Sequence, residues 1–475
     1  MCIIVPKLPQ GGDHMRIFQK IPRHQTARWR LRQVATGAAV AGLLVSTAIV
    51  SGSAAVAGSP QGAGLAVGGH DQETSRQPGV AALAPRHGRF LGIMPSGSAR
   101  FTLRAGPANG TPPLTYHGGP VQHGTTAYAI FWDPPGRYFP PSYRAMVAQY
   151  FNDVSQQSYG TGNVYSAATQ YYDLTGPGGT KNWVSYDVSY GGSAVATDPL
   201  PASGCKNYSL GDFSKTWACL LDSQLQSEVS NVIAAQHWPT GLGAEYFLFT
   251  PAGLGSCFDT KPKDGCYDPE LTAGYCAYHS NIGGTTLYAN MPWADISGCQ
   301  YPVSHTPYPN DDGADTVINV VSHEQNETMT DPLGNAWYDS SGYEDGDECA
   351  WLSEPTQYNR LGNYSQTING DQYMMQFEWS NRGSKCLGSN THPQPAGSFT
   401  ATASGALGEQ FTASATDSDD TAFTYGWNFG DGQSALVSTP TVTHTYAAAG
   451  TYTVTLVIFD AQGDQVRVVN TVTVS

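Results

Sequence analysis

The stretch VINVVSHEQNETMTDP, residues 317–332, joins an apolar run to a cluster of polar side chains. Its apolar residues recur at helical spacing, which predicts a helix with Asp315 as its N-cap. His323, Glu324 and Glu327 fall on one face of that helix. Because His323 and Glu327 lie one turn apart, both side chains can reach a single ion.

The polar cluster reads H-E-x-x-E and differs at one position from H-E-x-x-H, the zinc-binding helix of many peptidases. Imidazole nitrogen and carboxylate oxygen are both ordinary zinc ligands, so Glu327 is chemically able to replace the second histidine. The exchange makes the site more anionic and less Lewis acidic. Glu324 takes the position of the general base that activates water in the zinc peptidases.

A third metal ligand has to come from outside the helix, because a catalytic zinc site usually takes three protein ligands. The segment GYEDGDEC, residues 342–349, brings several acids into a turn beside a cysteine that a disulfide can fix. By analogy with zinc peptidases that use a downstream glutamate, we expect the third ligand to be Glu344. Asp347 and Asp331 are the alternatives.

Other readings of these segments remain open. Tyr343 and Tyr338 are candidate donors to a developing oxyanion, and Tyr343 is the one we include in the predicted catalytic set.

The helix can instead be a structural one with polar pairs and no metal. Calcium at DDGAD (residues 311–315) or YEDGDE (residues 343–348) is a third option, although neither has EF-hand spacing. His279 lies near the helix in sequence, but its neighbours offer no nucleophile.

The first 57 residues have the features of a secretory signal. Several arginines precede an uncharged run over residues 34–50, and AVA at residues 55–57 supplies a small-residue cleavage pattern. The run is short for a membrane span. We therefore expect residues 1–57 to be removed, and the mature protein to be extracellular without a membrane anchor.

The chain is acidic, with a formal net charge of −15. Residues 1–57 carry seven of the basic residues and one of the acids, so the mature chain is more acidic still. This charge argues against nucleic acid or an anionic membrane as a partner. Its simplest explanation is solubility outside the cell.

Eight of the nine cysteines lie between residues 205 and 386. An even number in a secreted chain predicts up to four disulfides, whose connectivity stays open. The absence of C-x-x-C pairs argues against a zinc site built from cysteine.

Composition divides the rest of the chain into three parts. Residues 58–112 are rich in glycine, alanine, serine and proline, which predicts a linker or a pro-segment. Residues 113–390 interleave strand and helix patterns and predict an α+β domain. Residues 391–475 contain short alternating runs without cysteine and predict a small antiparallel β-sandwich.

The β-sandwich segment contains WNFGDG (residues 427–432), HTY (444–446) and GTYTV (450–454). These motifs closely resemble the polycystic kidney disease (PKD) domain of extracellular proteins. The physical reading agrees, because Gly430 and Gly432 permit a turn with positive φ and Val454 and Leu456 alternate into a core. The resemblance implies adhesion, spacing or attachment to a substrate.

The segment SHEQNETMTDPLGNAWYDSSGYEDGDECAW, with YMMQFEWSNRGSKC downstream, looks like a family of secreted bacterial proteins with a zincin-like domain. That resemblance implies a secreted zinc metallopeptidase acting on proteins or peptides, with the sandwich holding it on a surface or polymer. TYHGGPV and TDPLGNAWYD also resemble the plant phosphate-induced, EXORDIUM-like extracellular proteins. The second resemblance implies a non-catalytic binding protein whose metal site is a relic. The missing second histidine is the departure from the zinc peptidase pattern.

Overall fold

The computed structural model describes residues 92–95, 113–205, 218–258, 265–269, 274–300, 309–352, 357–358 and 362–475. The signal expected over residues 1–57 and most of the linker or pro-segment expected over 58–112 lie outside these ranges. No helix within these ranges is long and apolar enough to cross a membrane.

Before the β-sandwich, the chain alternates between short helices and strands. The helices are α1 (Pro141–Gln156), α2 (Asp222–Gln236), α3 (Asp312–Thr330) and α4 (Asp345–Glu348), and 3-10 helices cover Val164–Gln170 and Pro177–Gly179. The strands are β1 (Ile93–Pro95), β2 (Thr115–Tyr116), β3 (Thr125–Trp132), β4 (Tyr172–Asp173), β5 (Asn182–Trp183), β6 (Val188–Ala196), β7 (Ala218–Leu221), β8 (Gly241–Phe249), β9 (Leu254–Cys257), β10 (Cys266–Tyr267), β11 (Tyr275–Ile282), β12 (Thr286–Met291), β13 (Trp337–Tyr338), β14 (Gln357–Tyr358), β15 (Asn363–Tyr364), β16 (Gln366–Ile368), β17 (Asp371–Tyr373), β18 (Glu378–Ser380) and β19 (Lys385–Leu387).

A six-stranded mixed sheet supports the candidate site, in the order β1-β11-β12-β8-β3-β6. Strands β6, β3, β8 and β12 run parallel, whereas β11 is antiparallel to β12 and β1 is antiparallel to β11. Helices α1 and α2 lie in the crossovers that parallel pairing requires. Strand β3 is a nearly continuous apolar run because it is buried along almost its whole length.

Helix α3 carries the H-E-x-x-E motif, and every residue of it from Gly313 onward is buried. The predicted N-cap was wrong: Asp311 is the N-cap, and its side chain accepts a hydrogen bond from the backbone of Ala314 at 3.0 Å. Asp315 lies in the first turn and accepts from the backbone N–H groups of Asn310 and Asp311. The acids of residues 311–315 thus satisfy backbone donors at the helix start.

The C-terminal part contains the strands β20 (Ala396–Gly405), β21 (Gly408–Thr416), β22 (Thr424–Asn428), β23 (Ser434–Val437), β24 (Thr441–Thr445), β25 (Gly450–Phe459) and β26 (Gln465–Val474). They form two packed antiparallel sheets, β20-β21-β24 and β23-β22-β25-β26. Trp427, Val454 and Leu456 lie in the apolar core between them. Gly430 and Gly432 have φ values of +80° and +89°, as the turn predicted from the sequence requires.

Disulfides join all eight cysteines of the region between residues 205 and 386. The pairs are Cys205–Cys219, Cys257–Cys266, Cys276–Cys299 and Cys349–Cys386. Cys276 lies in β11, and Cys349 directly follows α4. The disulfides therefore fix two of the elements that surround the H-E-x-x-E helix.

The β-sandwich packs against the preceding domain. Arg382 forms an ion pair with Asp464 at 2.7 Å. Trp183 shares a small apolar cluster with Val457 and Phe459 of the sandwich. Polar and apolar contacts thus both connect the two domains.

Candidate metal centre

The candidate site is formed by side chains from three elements of the domain that precedes the β-sandwich. Helix α3 supplies His323, Glu324 and Glu327, the short helix α4 supplies Asp347, and strand β11 supplies His279. All these side chains belong to residues that are at most 5% exposed. The site is therefore an interior cluster of titratable groups and requires internal charge compensation.

His323, Glu327 and Asp347 form the first possible ligand group, with ligand atoms within 4.8 Å of one another. Nε2 of His323 lies 3.0 Å from Oε1 of Glu327 and 3.8 Å from Oδ1 of Asp347. Within the described ranges, Oδ1 of Asp347 has no hydrogen-bond partner, and Nε2 of His323 faces carboxylate oxygens. Buried polar atoms are normally paired, so the orphan oxygen beside His323 and Glu327 fits a bound cation.

A second possible ligand group contains His279, Glu324 and Glu327. Nδ1 of His279 lies 3.3 Å from Oε2 of Glu324 and 3.5 Å from Oε2 of Glu327. Glu327 thus stands between two histidines, with one carboxylate oxygen towards each. No sequence pattern gives His279 a role, because it lies 45 residues before Glu324 and only the pairing of β11 brings it to the helix.

Glu344, the third ligand expected from the sequence, faces the second group. One of its carboxylate oxygens lies 3.9 Å from Nε2 of His279, and the other accepts a hydrogen bond from the backbone N–H of Gly92. Asp331, an alternative ligand, is the C-cap of α3, and its Oδ1 accepts from the backbone of Asn335 and Ala336. Of the three acids expected as candidates for the third ligand, Asp347 is the one whose carboxylate lies in the same ligand group as His323 and Glu327.

The two tyrosines considered from sequence lie at the margin of the cluster. Tyr343 is half-buried, and its backbone is bonded in both directions to Asp339. The ring of Tyr338 stacks on His117 with centroids 3.6 Å apart. The oxyanion role of Tyr343 stays a prediction.

Gln376 holds the outer nitrogen of His323. Its Nε2 lies 2.9 Å from Nδ1 of His323 and donates to the carbonyl of Gly346, while its Oε1 accepts from the backbone of Trp351. This orientation places the imidazole proton on Nε2. Cation binding through Nε2 would require the proton on Nδ1 and a turned amide, which would give up the hydrogen bonds of Gln376 to Gly346 and Trp351.

Gly346 closes the cluster from the α4 side. A Cβ at this position would lie 2.8 Å from Nδ1 of His323 and 2.9 Å from Oε1 of Glu327. Any larger residue would therefore displace the imidazole of His323 and the carboxylate of Glu327 from their positions. Glycine is needed here because the loop backbone approaches the candidate ligands so closely.

Buried acids outnumber buried bases around α3. No Lys or Arg is among the buried residues in the described part of the chain. Fully buried carboxyl groups close to the helix are those of Glu245, Glu324, Glu327, Asp331, Glu344 and Asp345. Negative charge of this density is held inside a protein only by protons or by a cation.

The pKa shifts follow from this imbalance. Burial raises the pKa of Glu344 and of Asp347 well above the ordinary range. Burial acts on Glu327 in the same direction, but His323 and His279 outweigh it and lower its pKa to about 2. Burial therefore favours the protonated forms of Glu344 and Asp347, whereas the two histidines favour the charged form of Glu327.

Glu245, on β8 behind α3, gives a testable pH dependence. Its Oε1 accepts from Thr328 at 2.8 Å, and burial raises its pKa from 4.5 to about 8. Below pH 4.5 the group is neutral in both states; between 4.5 and 8 the unfolded chain releases the proton while the folded chain keeps it. The free energy of unfolding therefore falls over that range, by at most about 5 kcal/mol.

Glu245→Gln is expected to remove this part of the decline, because glutamine stays neutral at every pH. The measurement is urea unfolding of both proteins at several pH values from 4 to 9, with the same ionic strength. An unchanged slope in the variant would show that Glu245 is ionised in the folded protein.

The comparisons with known proteins bear on the C-terminal part. A family model described as the PKD domain matches residues 390–475. The PKD1 domain of Vibrio cholerae metalloprotease PrtV is 32% identical over 17% of this chain and 98% of that chain, with a TM-score of 0.16. The PKD1 domain of Vibrio anguillarum Epp is 28% identical over 17% of this chain and 94% of that chain, also with a TM-score of 0.16.

Sheet order, turn geometry and the matching family model define the C-terminal part as a β-sandwich module of a type typical of extracellular proteins. It belongs to the PKD family of domains.

OgpA from Akkermansia muciniphila aligns with 77% of this chain and 97% of that chain at 9% identity and a TM-score of 0.18, which carries no argument. No curated protein matches the sequence. The function of the domain that precedes the β-sandwich therefore has to be argued from its site.

Proposed function

We propose that the protein is a secreted zinc metallopeptidase that cleaves proteins or peptides and that its PKD domain attaches it to a surface or polymeric substrate. The observation that carries the proposal is the convergence of His323, Glu327 and Asp347 within 4.8 Å, where Oδ1 of Asp347 has no hydrogen-bond partner in the described part of the chain. One imidazole and two carboxylates form a normal ligand set for zinc.

In this proposal His323, Glu327 and Asp347 hold the metal, and Glu344 supports it from the side of His279. When bound, zinc supplies a Lewis acid that polarises the carbonyl of the scissile bond. Oε2 of Glu324 accepts a proton from the attacking water and later donates it to the leaving amine. Nδ1 of His279, 3.3 Å from that oxygen, orients the carboxylate. Tyr343 remains the candidate donor to the oxyanion.

Metal analysis of the purified full chain tests the proposal directly. We expect about one zinc ion per chain, and hydrolysis of casein or gelatin that stops with a chelator and returns with added zinc. Protein purified with zinc in the medium that contains no stoichiometric metal would exclude a zinc enzyme. Hydrolysis that a chelator leaves unchanged would exclude the proposed site.

Gly346→Ala tests the ligand geometry without removing a ligand. The added Cβ would lie under 3 Å from both His323 and Glu327, so we expect zinc affinity to fall at least about tenfold. Gly162→Ala is the matched control, because a Cβ at residue 162 meets nothing within 4 Å. Competition with a fluorescent zinc chelator measures both affinities. Equal affinities in the two variants would place the metal elsewhere.

A non-catalytic binding protein is the second candidate, and one observation favours it. His323, Glu324 and Glu327 are each 0% exposed, which leaves a substrate no direct access to them. Stoichiometric zinc together with intact casein and gelatin would support this alternative.

A further inference from the structure

The segment formed by residues 92–95 covers the side of the site that carries Glu324 and Glu344. We propose that the outer edge of β11 is a binding site for an extended peptide and that residues 92–95 occupy this site within the same chain. The binding site is inferred from backbone contacts alone. Its consequence, that the covering segment competes with a peptide substrate and slows its entry, rests on the proposed function.

Strand β1 lies on β11 as an added antiparallel strand. Ile93 pairs with Tyr278 and Met94 pairs with Ala277, while the backbone N–H of His279 donates to the carbonyl of Gly92 at 3.0 Å. Main-chain pairing of this kind is how sheet edges bind extended peptides. The ligand class is therefore an extended peptide, which meets the sheet beside His279.

Backbone groups of the segment also contact the candidate catalytic residues. The N–H of Gly92 donates to Glu344, and the N–H of Met94 donates to Oε1 of Glu324 at 3.3 Å. With Oε2 of Glu324 facing His279, both oxygens of the candidate general base are engaged. The carbonyl of Pro95 accepts from Nε1 of Trp351 at 3.1 Å, which fixes the far end of the segment.

The side chains of the segment show what the site accepts. Ile93 and Met94 are 3% and 0% exposed and belong to the main apolar core, so their positions accept medium-sized apolar side chains. Gly92 has a φ of +65°, and a Cβ there would lie 2.9 Å from the carbonyl oxygen of His279. A glycine followed by two apolar residues is thus the sequence that this edge selects.

Displacing the segment should open the site to a peptide in trans. Met94→Asp would bury a charge beside Glu324, and Gly92→Val would collide with His279, so both changes disfavour docking. The probe is a fluorescent peptide of sequence LGIMPS, copied from residues 91–96. Fluorescence anisotropy with full-length protein and a chelator measures binding without zinc or hydrolysis.

We expect the two variants to bind this peptide at least about tenfold more tightly than the wild type. Leu174→Asp is the control, because it places the same charge at a side chain that is 52% exposed, and it should bind like the wild type. Variants that bind no more tightly than the control would overturn the proposal.

If a variant does not fold, hydrogen exchange of the wild-type protein tests whether residues 92–95 occupy the edge of β11. The amides of Met94 and His279 should be protected together and should become exposed together at low denaturant. A Met94 amide that exchanges at the rate of an unstructured peptide would overturn the proposal. Neither measurement involves zinc. If the protein proved to contain no metal, the proposed function would be wrong, but the proposed peptide site would be unaffected.

Discussion

Glu324→Gln is expected to lower peptide hydrolysis by about 10²- to 10⁴-fold while zinc content stays the same. Glutamine keeps the size of the side chain and its ability to accept from Met94, but it does not take a proton from water. The measurement is the initial rate of casein hydrolysis per bound zinc. It is made in the wild-type and the Met94→Asp backgrounds, so that a covered site is not mistaken for an inactive one.

Glu245→Gln is the matched control for this experiment. Glu245 is a second fully buried glutamate near α3, and its carboxylate contacts Thr328 on the same helix. Its replacement should leave the rate within about twofold, because in the proposed mechanism Glu245 transfers no proton. If Glu324→Gln kept the wild-type rate, Glu324 would not be the general base.

Removal of the Cys349–Cys386 disulfide should have the largest effect on stability. The bridge closes a loop with a sequence separation of 37. Loop-closure entropy predicts that Cys349→Ser with Cys386→Ser lowers the free energy of unfolding by about 4 kcal/mol. We also expect weaker zinc binding, because Cys349 holds the end of α4, which carries Asp347. Urea unfolding and chelator competition measure the two effects.

The Cys205–Cys219 disulfide provides the control. Its sequence separation of 14 predicts a loss of about 3 kcal/mol when both cysteines become serine. Neither cysteine touches the metal cluster, so zinc affinity should not change. If both double variants lost zinc affinity equally, the effect would reflect general destabilisation, and the specific role of α4 would be wrong.

Local sequence patterns were enough to locate the helix and the acidic loop. Helical spacing identified the face with His323 and Glu327, and the acids before Cys349 pointed to a segment that includes Asp347. The PKD domain was equally accessible, because glycines at positive φ and alternating apolar residues are local signals. Predictions of this kind succeed where the deciding contacts lie close together in the chain.

Long-range contacts were not accessible from the sequence. His279 joins the cluster only because sheet order places β11 beside α3. The three residues of β1 are too few to show periodicity, so composition assigned them to a linker. The choice between Glu344 and Asp347 depends on how a four-residue helix turns its side chains. The predicted N-cap was wrong because neighbouring acids all fit the pattern, and backbone geometry selected Asp311.

The contacts between the PKD domain and the preceding domain determine how the protein would work on a solid support. Arg382 with Asp464, and Trp183 with Phe459, connect the two domains through side chains as well as through the chain itself. A PKD domain held by such contacts keeps the preceding domain in one orientation. A PKD domain joined only by a flexible linker would let the preceding domain take many orientations. Once adsorbed, the molecule would reach only those chains of a polymer that pass in front of the β11 edge.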